Sequence, residues 1–229
     1  MNIKGLQKTT LLDFPEKLAC TVFTGGCNFR CPFCHNASLV LNANEVESIS
    51  EEEFFKYISK RSGMLDGVCI TGGEPLLCHD IEEFITRIRS YGLLIKLDTN
   101  GSFPQKLEAL LNKGLLDYVA MDIKNSKDKY AITAGVDSFP ENIEKSIDII
   151  MSKAPDYEFR TTVVRELHTT QDIVNIAKRI NNAKKYYLQS YVDSGDTIKS
   201  GFSAYSASEM LEILDITRKI LPITALRGI

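Results

Sequence analysis

The chain has 229 residues, 44% of them hydrophobic and 25% charged, with a net charge of -3. That balance suits one α/β domain over residues 1–229 with a sizeable core. It gives no support to the basic stripe of a nucleic-acid-binding surface, and no run approaches the roughly 20 apolar residues of a membrane span. The opening MNIKGLQKTTLLDFPEK has no apolar signal core, so the expected location is the cytoplasm. Six cysteines are too few for a disulfide scaffold, and clustered cysteines in a reducing compartment point first to metal or redox chemistry.

Short apolar runs alternate with amphipathic stretches along the chain. The first run, Leu18 to Phe23, leads into a loop carrying three cysteines. Ser50 and Glu53 make a capping-box pattern before a helix whose apolar face is Phe54, Phe55 and Ile58. Gly67 to Thr71 is the second run and ends in GGEP. Asp80 to Ser90 reads as a helix with Ile81, Phe84, Ile85 and Ile88 on one side. Leu93 to Leu97 is the third run and ends in DTNG, and Pro104 suits the first turn of the helix that follows. Tyr118 to Met121 ends in DIK and precedes a helix around Ile143 to Met151. The fifth run, Tyr157 to Val164, precedes a helix from Asp172 to Ile180. The sixth, Lys185 to Gln189, precedes a closing helix from Ser208 to Lys219.

Six strand–helix units imply parallel strands with right-handed crossovers. They fit an open doubly wound sheet or a partial barrel, and the expectation adopted is a partial (β/α)6 barrel in a single domain. In either architecture function sits at the C-terminal ends of the strands. CNFRCPFCHN, GGEP, DTNG and DIK fall there in succession, so the four segments should converge on one site.

Cys27, Cys31 and Cys34 have the spacing C-x3-C-x2-C. An iron–sulfur cubane usually takes four thiolates, so three from one loop leave one iron open to a cofactor or substrate. Gly25 and Gly26 would let the backbone wrap closely around an inorganic cube. Two other readings stand beside this one. A zinc site could use the three cysteines and His35, although adjacency to Cys34 makes that reach awkward. The three could also be inert buried thiols.

The cysteine spacing, with Phe33 just before the last cysteine, resembles the signature of radical S-adenosylmethionine enzymes. CPFCHN, GGEP, LDTNG and MDIK, in that order, are similar to glycyl-radical-enzyme activating proteins. The opening GLQKTTLLDFPEKLACTVFTGGCNFRCPFCHN and the later EFRTTVVRELH resemble the branch that activates anaerobic ribonucleoside-triphosphate reductase. The likeness covers essentially the whole chain.

The resemblance implies a single [4Fe–4S] cluster on Cys27, Cys31 and Cys34, with S-adenosylmethionine chelating the open iron. Reductive cleavage would yield a 5′-deoxyadenosyl radical that takes hydrogen from a glycine of a partner enzyme. A flavodoxin or ferredoxin-type protein would supply the electron. Gly72 and Gly73 would allow close backbone approach, and Glu74 would accept from the methionyl ammonium. Asp98, with Thr99, would lie at the cofactor beside a monovalent cation shared with Asp122. Asp122 and Lys124 match the family's D-x-K motif and share one side of a strand. Arg160 would lie near the site. Phe33 and His35 would pack near the adenine. The pyruvate formate-lyase branch has a cofactor-binding histidine after the sixth strand, where this chain reads QSYVDSG. Gln189 is the candidate in its place.

His79 and His168 have no motif support and are expected to be structural or solvent-facing. Cys20 and Cys69 fit buried strand positions, and Cys78 is expected near the site but unpaired. No second set of cysteines lies between Asn36 and Thr71. Two other functions remain open: a radical enzyme acting on a small molecule or peptide, and a zinc-stabilised binding module.

Overall fold

The structure is a computed structural model and describes residues 1–228. Its elements, in chain order, are β1 (Ile3–Thr10), β2 (Ala19–Thr24), α1 (Ala37–Leu41), α2 (Glu51–Arg61), β3 (Gly67–Gly72), α3 (Ile81–Arg89), β4 (Leu94–Thr99), α4 (Pro104–Asn112), β5 (Tyr118–Asp122), α5 (Tyr130–Ala134), α6 (Asn142–Lys153), β6 (Asp156–Val163), α7 (Thr170–Arg179), β7 (Tyr186–Ser190), α8 (Ala207–Arg218) and β8 (Thr224–Arg227). The eight strands lie in one sheet in sequence order. β1 pairs antiparallel with β2, and every later pairing is parallel. The result is a single α/β domain with the partial-barrel architecture expected.

The six expected strands are β2 to β7, and two more extend the sheet at its edges. β1 reads IKGLQKTT, mostly polar, and its register with β2 shifts twice. An edge strand faces its pairing partner on one side only, so it carries little apolar periodicity to read. β8 is four residues long, too short for a pattern.

Helices pack on the sheet where the periodicity puts them. Ile81, Phe84, Ile85 and Ile88 of α3 are all buried. Ser50 caps α2 by accepting from the Glu53 amide at 3.1 Å, and Phe54 lies 5.1 Å from both the Phe55 and Phe84 rings. α7 and α8 open on full capping boxes, Thr169 with Asp172 and Ser206 with Glu209. The N-terminal end of the barrel is closed by Phe14, which packs with Ala19, Tyr118 and Ala120.

Polar side chains enter the barrel interior at alternate strand positions. On β4 these are Lys96 and Asp98, on β5 Asp122, and on β6 Glu158, Arg160 and Thr162. Register places Asp122 beside Arg160, and Thr162 beside Gln189. Among the described residues, no helix is long and apolar enough to cross a membrane.

Candidate functional site

A cavity of about 260 Å³ opens at the C-terminal ends of the strands. Cys27, Cys31, Cys34, Phe33 and His35 line it from the loop after β2, and Gly72 and Gly73 from the end of β3. Asp98 and Thr99 reach it from β4, Asp122 and Lys124 from β5, Arg160 from β6 and Gln189 from β7. The convergence expected from strand-end motifs is present. One expected residue, Glu74, is missing from the wall.

The cysteine loop is held from three directions. Its Gly26 amide donates to the Leu39 carbonyl at 2.8 Å. The Arg30 amide donates to the Ala134 carbonyl at 2.9 Å, and the Lys199 amide donates to the Pro32 carbonyl at 2.8 Å. Two glycines outside the loop let other backbone segments press against it. A Cβ on Gly73 would stand 1.9 Å from the Gly26 carbonyl oxygen. A Cβ on Gly135, whose φ is +66°, would stand 2.1 Å from the Arg30 carbonyl oxygen. Only glycine permits such approach. The GGEP motif points to Gly73, whereas Gly135 ends α5 in the left-handed conformation that favours glycine.

All six cysteines are free thiols. Burial pushes the Cys31 thiol up to about 12 and also raises Cys27. Metal ligation needs thiolates, so positive iron would have to supply the compensation that the apolar surroundings withhold. Among the described residues, no three His, Cys, Asp or Glu side chains gather closely enough for a single metal ion. A Cys3His zinc centre requires that convergence. A cubane distributes its ligands around a larger body, and three cysteines at the mouth of one cavity suit it.

Glu74 turns inward. Its carboxylate is fully buried and accepts from the Thr99 hydroxyl at 2.8 Å, the Asn100 amide at 2.7 Å and the Leu76 amide at 3.1 Å. Its own amide donates to the Gly26 carbonyl at 2.8 Å. The expectation that its carboxylate receives the methionyl ammonium is therefore corrected. Glu74 ties the segment after β3 to the DTNG turn and to the cysteine loop. Burial pushes its pKa up to about 7, against the three hydrogen bonds that favour the charged form.

The opposite wall is a chain of charges. Arg160 Nε donates to Asp122 Oδ1 at 2.8 Å, and Arg160 Nη1 to Asp98 Oδ2 at 3.1 Å. Lys124 Nζ donates to Asp122 Oδ2 at 3.1 Å, and Lys96 Nζ donates to Asp98 Oδ1. Burial alone would raise both carboxyl groups; Arg160 outweighs it, with Lys96 at Asp98 and Lys124 at Asp122, and holds both below the usual range. The wall is ionised at neutral pH and suits a zwitterionic ligand.

On the remaining side His35 packs against Tyr191, with centroids 5.4 Å apart. Burial, then Lys124, keeps His35 below its ordinary pKa, so the ring is neutral and able to lie beside a base. Phe33 is buried next to it. Sequence reasoning missed Asn100, which lines the cavity, donates to Asn28 Oδ1 at 2.9 Å and lies 3.7 Å from the Cys27 sulfur. It also missed the buried Lys96.

The residues set aside behave mostly as expected. His168 is buried and structural, with Nε2 2.8 Å from the Lys124 carbonyl, while His79 is exposed. Cys20 and Cys69 are buried in strands. Cys78 is away from the cavity, in a separate hollow beside Met1 and Asn2.

Residues 21–180 match the model of the Radical SAM superfamily. A protein of Methanocaldococcus jannaschii provisionally named a glycyl-radical enzyme activating enzyme is 30% identical over 99% of this chain and 96% of its own length. A Thermococcus kodakarensis protein provisionally named GTP 3′,8-cyclase is 31% identical over 68% of this chain, but over only 51% of its own length. Among solved structures, Streptococcus suis SuiB bound to precursor peptide SuiA superposes with a TM-score of 0.71. That match covers 91% of this chain and 48% of SuiB at 15% identity, a likeness of fold.

Proposed function

The chain belongs to the radical S-adenosylmethionine superfamily, and from that premise we propose that it is a glycyl-radical-enzyme activating enzyme. The observation that carries the proposal is the co-extensive match to the Methanocaldococcus jannaschii protein, which spans nearly all of both chains. The cyclase relative shares only about half of its own length with this chain. Motif likeness favours anaerobic ribonucleoside-triphosphate reductase as the partner, a cytoplasmic setting, and a flavodoxin or ferredoxin-type electron donor. The working unit is the single domain of residues 1–229.

Cys27, Cys31 and Cys34 would hold the [4Fe–4S] cluster, and the cavity would hold S-adenosylmethionine. When bound, the reduced cluster and this cofactor supply a one-electron cleavage that furnishes a 5′-deoxyadenosyl radical. The protein's own part is to bind, orient and shield. Gly72 and Gly73 expose backbone at the cavity mouth for a polar head group. Lys124, Asp122, Arg160 and Asp98 give the methionyl amine and carboxylate opposite charges to meet. Phe33 and His35 offer a flat apolar surface for adenine, and Gln189 a polar tip beside it. Phe29, Phe33 and Val40 keep water from the cysteine side.

The test is isotopic. A partner made with deuterated glycine should pass deuterium into 5′-deoxyadenosine. The similarity to a GTP cyclase supports a second reading, in which the hydrogen comes from a small molecule. Deuterium arriving from a labelled nucleotide, and none from the glycine, would favour that reading.

A further inference from the structure

Asp98 and Asp122 are the pair to which the family resemblance assigns a monovalent cation. Here all four of their carboxylate oxygens already face protein cations. At Asp98, Oδ1 accepts from Lys96, and Oδ2 from Arg160 at 3.1 Å and the Thr71 hydroxyl at 3.3 Å. At Asp122, Oδ1 accepts from Arg160 at 2.8 Å and Oδ2 from Lys124 at 3.1 Å. Three cations thus meet two carboxylates. Glu158, 4.0 Å from Arg160, is itself neutralised by a bidentate pair with Arg227. A potassium or sodium ion would enter a site already ringed by three protein cations and would have to share every carboxylate oxygen it used with one of them.

Lys96 is the unusual member. It is 1% exposed, projects into the barrel two residues before Asp98, and does not line the cavity. Its ammonium lies 3.7 Å from the Cys69 sulfur, and among the described residues Asp98 is its only carboxylate partner. Burying an ammonium is costly unless it is paired, so its position is explained by what it does to Asp98.

We propose that Lys96 and Arg160 stand where an exogenous monovalent cation would otherwise be needed, and that Lys96 is a positioning residue that fixes Asp98 for the cofactor's methionyl group. The surplus positive charge is then left for the methionyl carboxylate. The inference rests on S-adenosylmethionine binding in this cavity and is independent of which partner is activated.

The test begins with a salt exchange on the wild-type protein. Cofactor cleavage by the reconstituted enzyme is compared in potassium, sodium and tetramethylammonium chloride at equal ionic strength, so that screening is constant. The rate and KM should agree within about twofold, since an ion that makes no differential contact shifts nothing. Lys96→Met frees Asp98 Oδ1. In tetramethylammonium its KM should rise about tenfold, the size expected for one lost hydrogen bond to a charged group, with kcat less affected. Potassium should recover most of that loss. A second readout needs no cofactor: the unfolding midpoint of the cluster-free wild type should be the same in potassium and tetramethylammonium, while that of Lys96→Met should be higher in potassium. A wild-type enzyme that slows severalfold without potassium, or whose midpoint rises with it, overturns the proposal. Absence of cleavage in every salt would count against the cofactor reading, and the unfolding comparison would still decide the role of Lys96.

Discussion

Replacing Gly73 by alanine should uncouple the GGEP segment from the cysteine loop. The new Cβ would lie 1.9 Å from the Gly26 carbonyl oxygen and 2.6 Å from the carbonyl carbon, where real Cβ contacts do not fall below 3.0 Å. Backbone cannot swing aside as a side-chain tip can, so the two loops must part by about 1 Å. That movement lengthens the Glu74 amide bond to Gly26, now 2.8 Å, past useful range. The stability cost is one backbone hydrogen bond plus local strain, about 1–3 kcal/mol, which for a domain of this size lowers the midpoint by roughly 3–10 °C. The functional cost is larger, because a displacement of about 1 Å at reacting groups can cost about a hundredfold in rate. The assay is iron content and 5′-deoxyadenosine formation after reconstitution, with Gly63→Ala as control, since a Cβ there meets nothing within 4 Å. Wild-type iron loading and cleavage in Gly73→Ala would refute the claim that these loops are built against each other.

Asp122→Asn should leave Arg160 and Lys124 under-compensated and destabilise the cluster-free chain by about 1.5–3 kcal/mol at pH 7, the range for hydrogen bonds to charged groups at this half-buried carboxylate. Asp122 and Asp98 are held below their ordinary pKa, so the stability they add is full above about pH 4 and fades as pH falls through the depressed values. The difference between Asp122→Asn and wild type should shrink only in acid, as pH-dependent denaturant unfolding would show. Glu74 has the opposite sign. Its pKa is raised from 4.5 to about 7, so wild-type stability falls as pH rises through that window, and Glu74→Gln should flatten the slope there. Alanine at Cys27, Cys31 or Cys34 should abolish cofactor cleavage, whereas alanine at Cys20, buried in β2, should cost about 1 kcal/mol of stability and leave cleavage intact.

The cysteine spacing and the strand-end motifs were legible because each is written in consecutive residues. The six parallel strands were legible because strands such as β3 and β5 are near-continuous apolar runs, as strands covered on both faces must be. Glu74 was misread because its motif locates the backbone correctly but says nothing of where the carboxylate turns. Its partners, Thr99 and Asn100, come from the next strand. Lys96 within LLIKLD looks like a solvent-facing residue of a half-exposed strand; only closure of the sheet into a barrel puts it inside. Gly135 ends α5 in the left-handed conformation, a local role, but its approach to a carbonyl 105 positions earlier in the chain is recorded by no local pattern.

The most direct test of the account is a radical signal. The reconstituted protein, a reductant and S-adenosylmethionine are incubated without oxygen with anaerobic ribonucleoside-triphosphate reductase and examined by electron paramagnetic resonance. The account predicts an organic glycyl-radical signal on the partner, formed in step with 5′-deoxyadenosine and lost when the partner's radical-bearing glycine is replaced by alanine. Sustained 5′-deoxyadenosine formation with no radical on that reductase, or on any other glycyl radical enzyme offered, would contradict it.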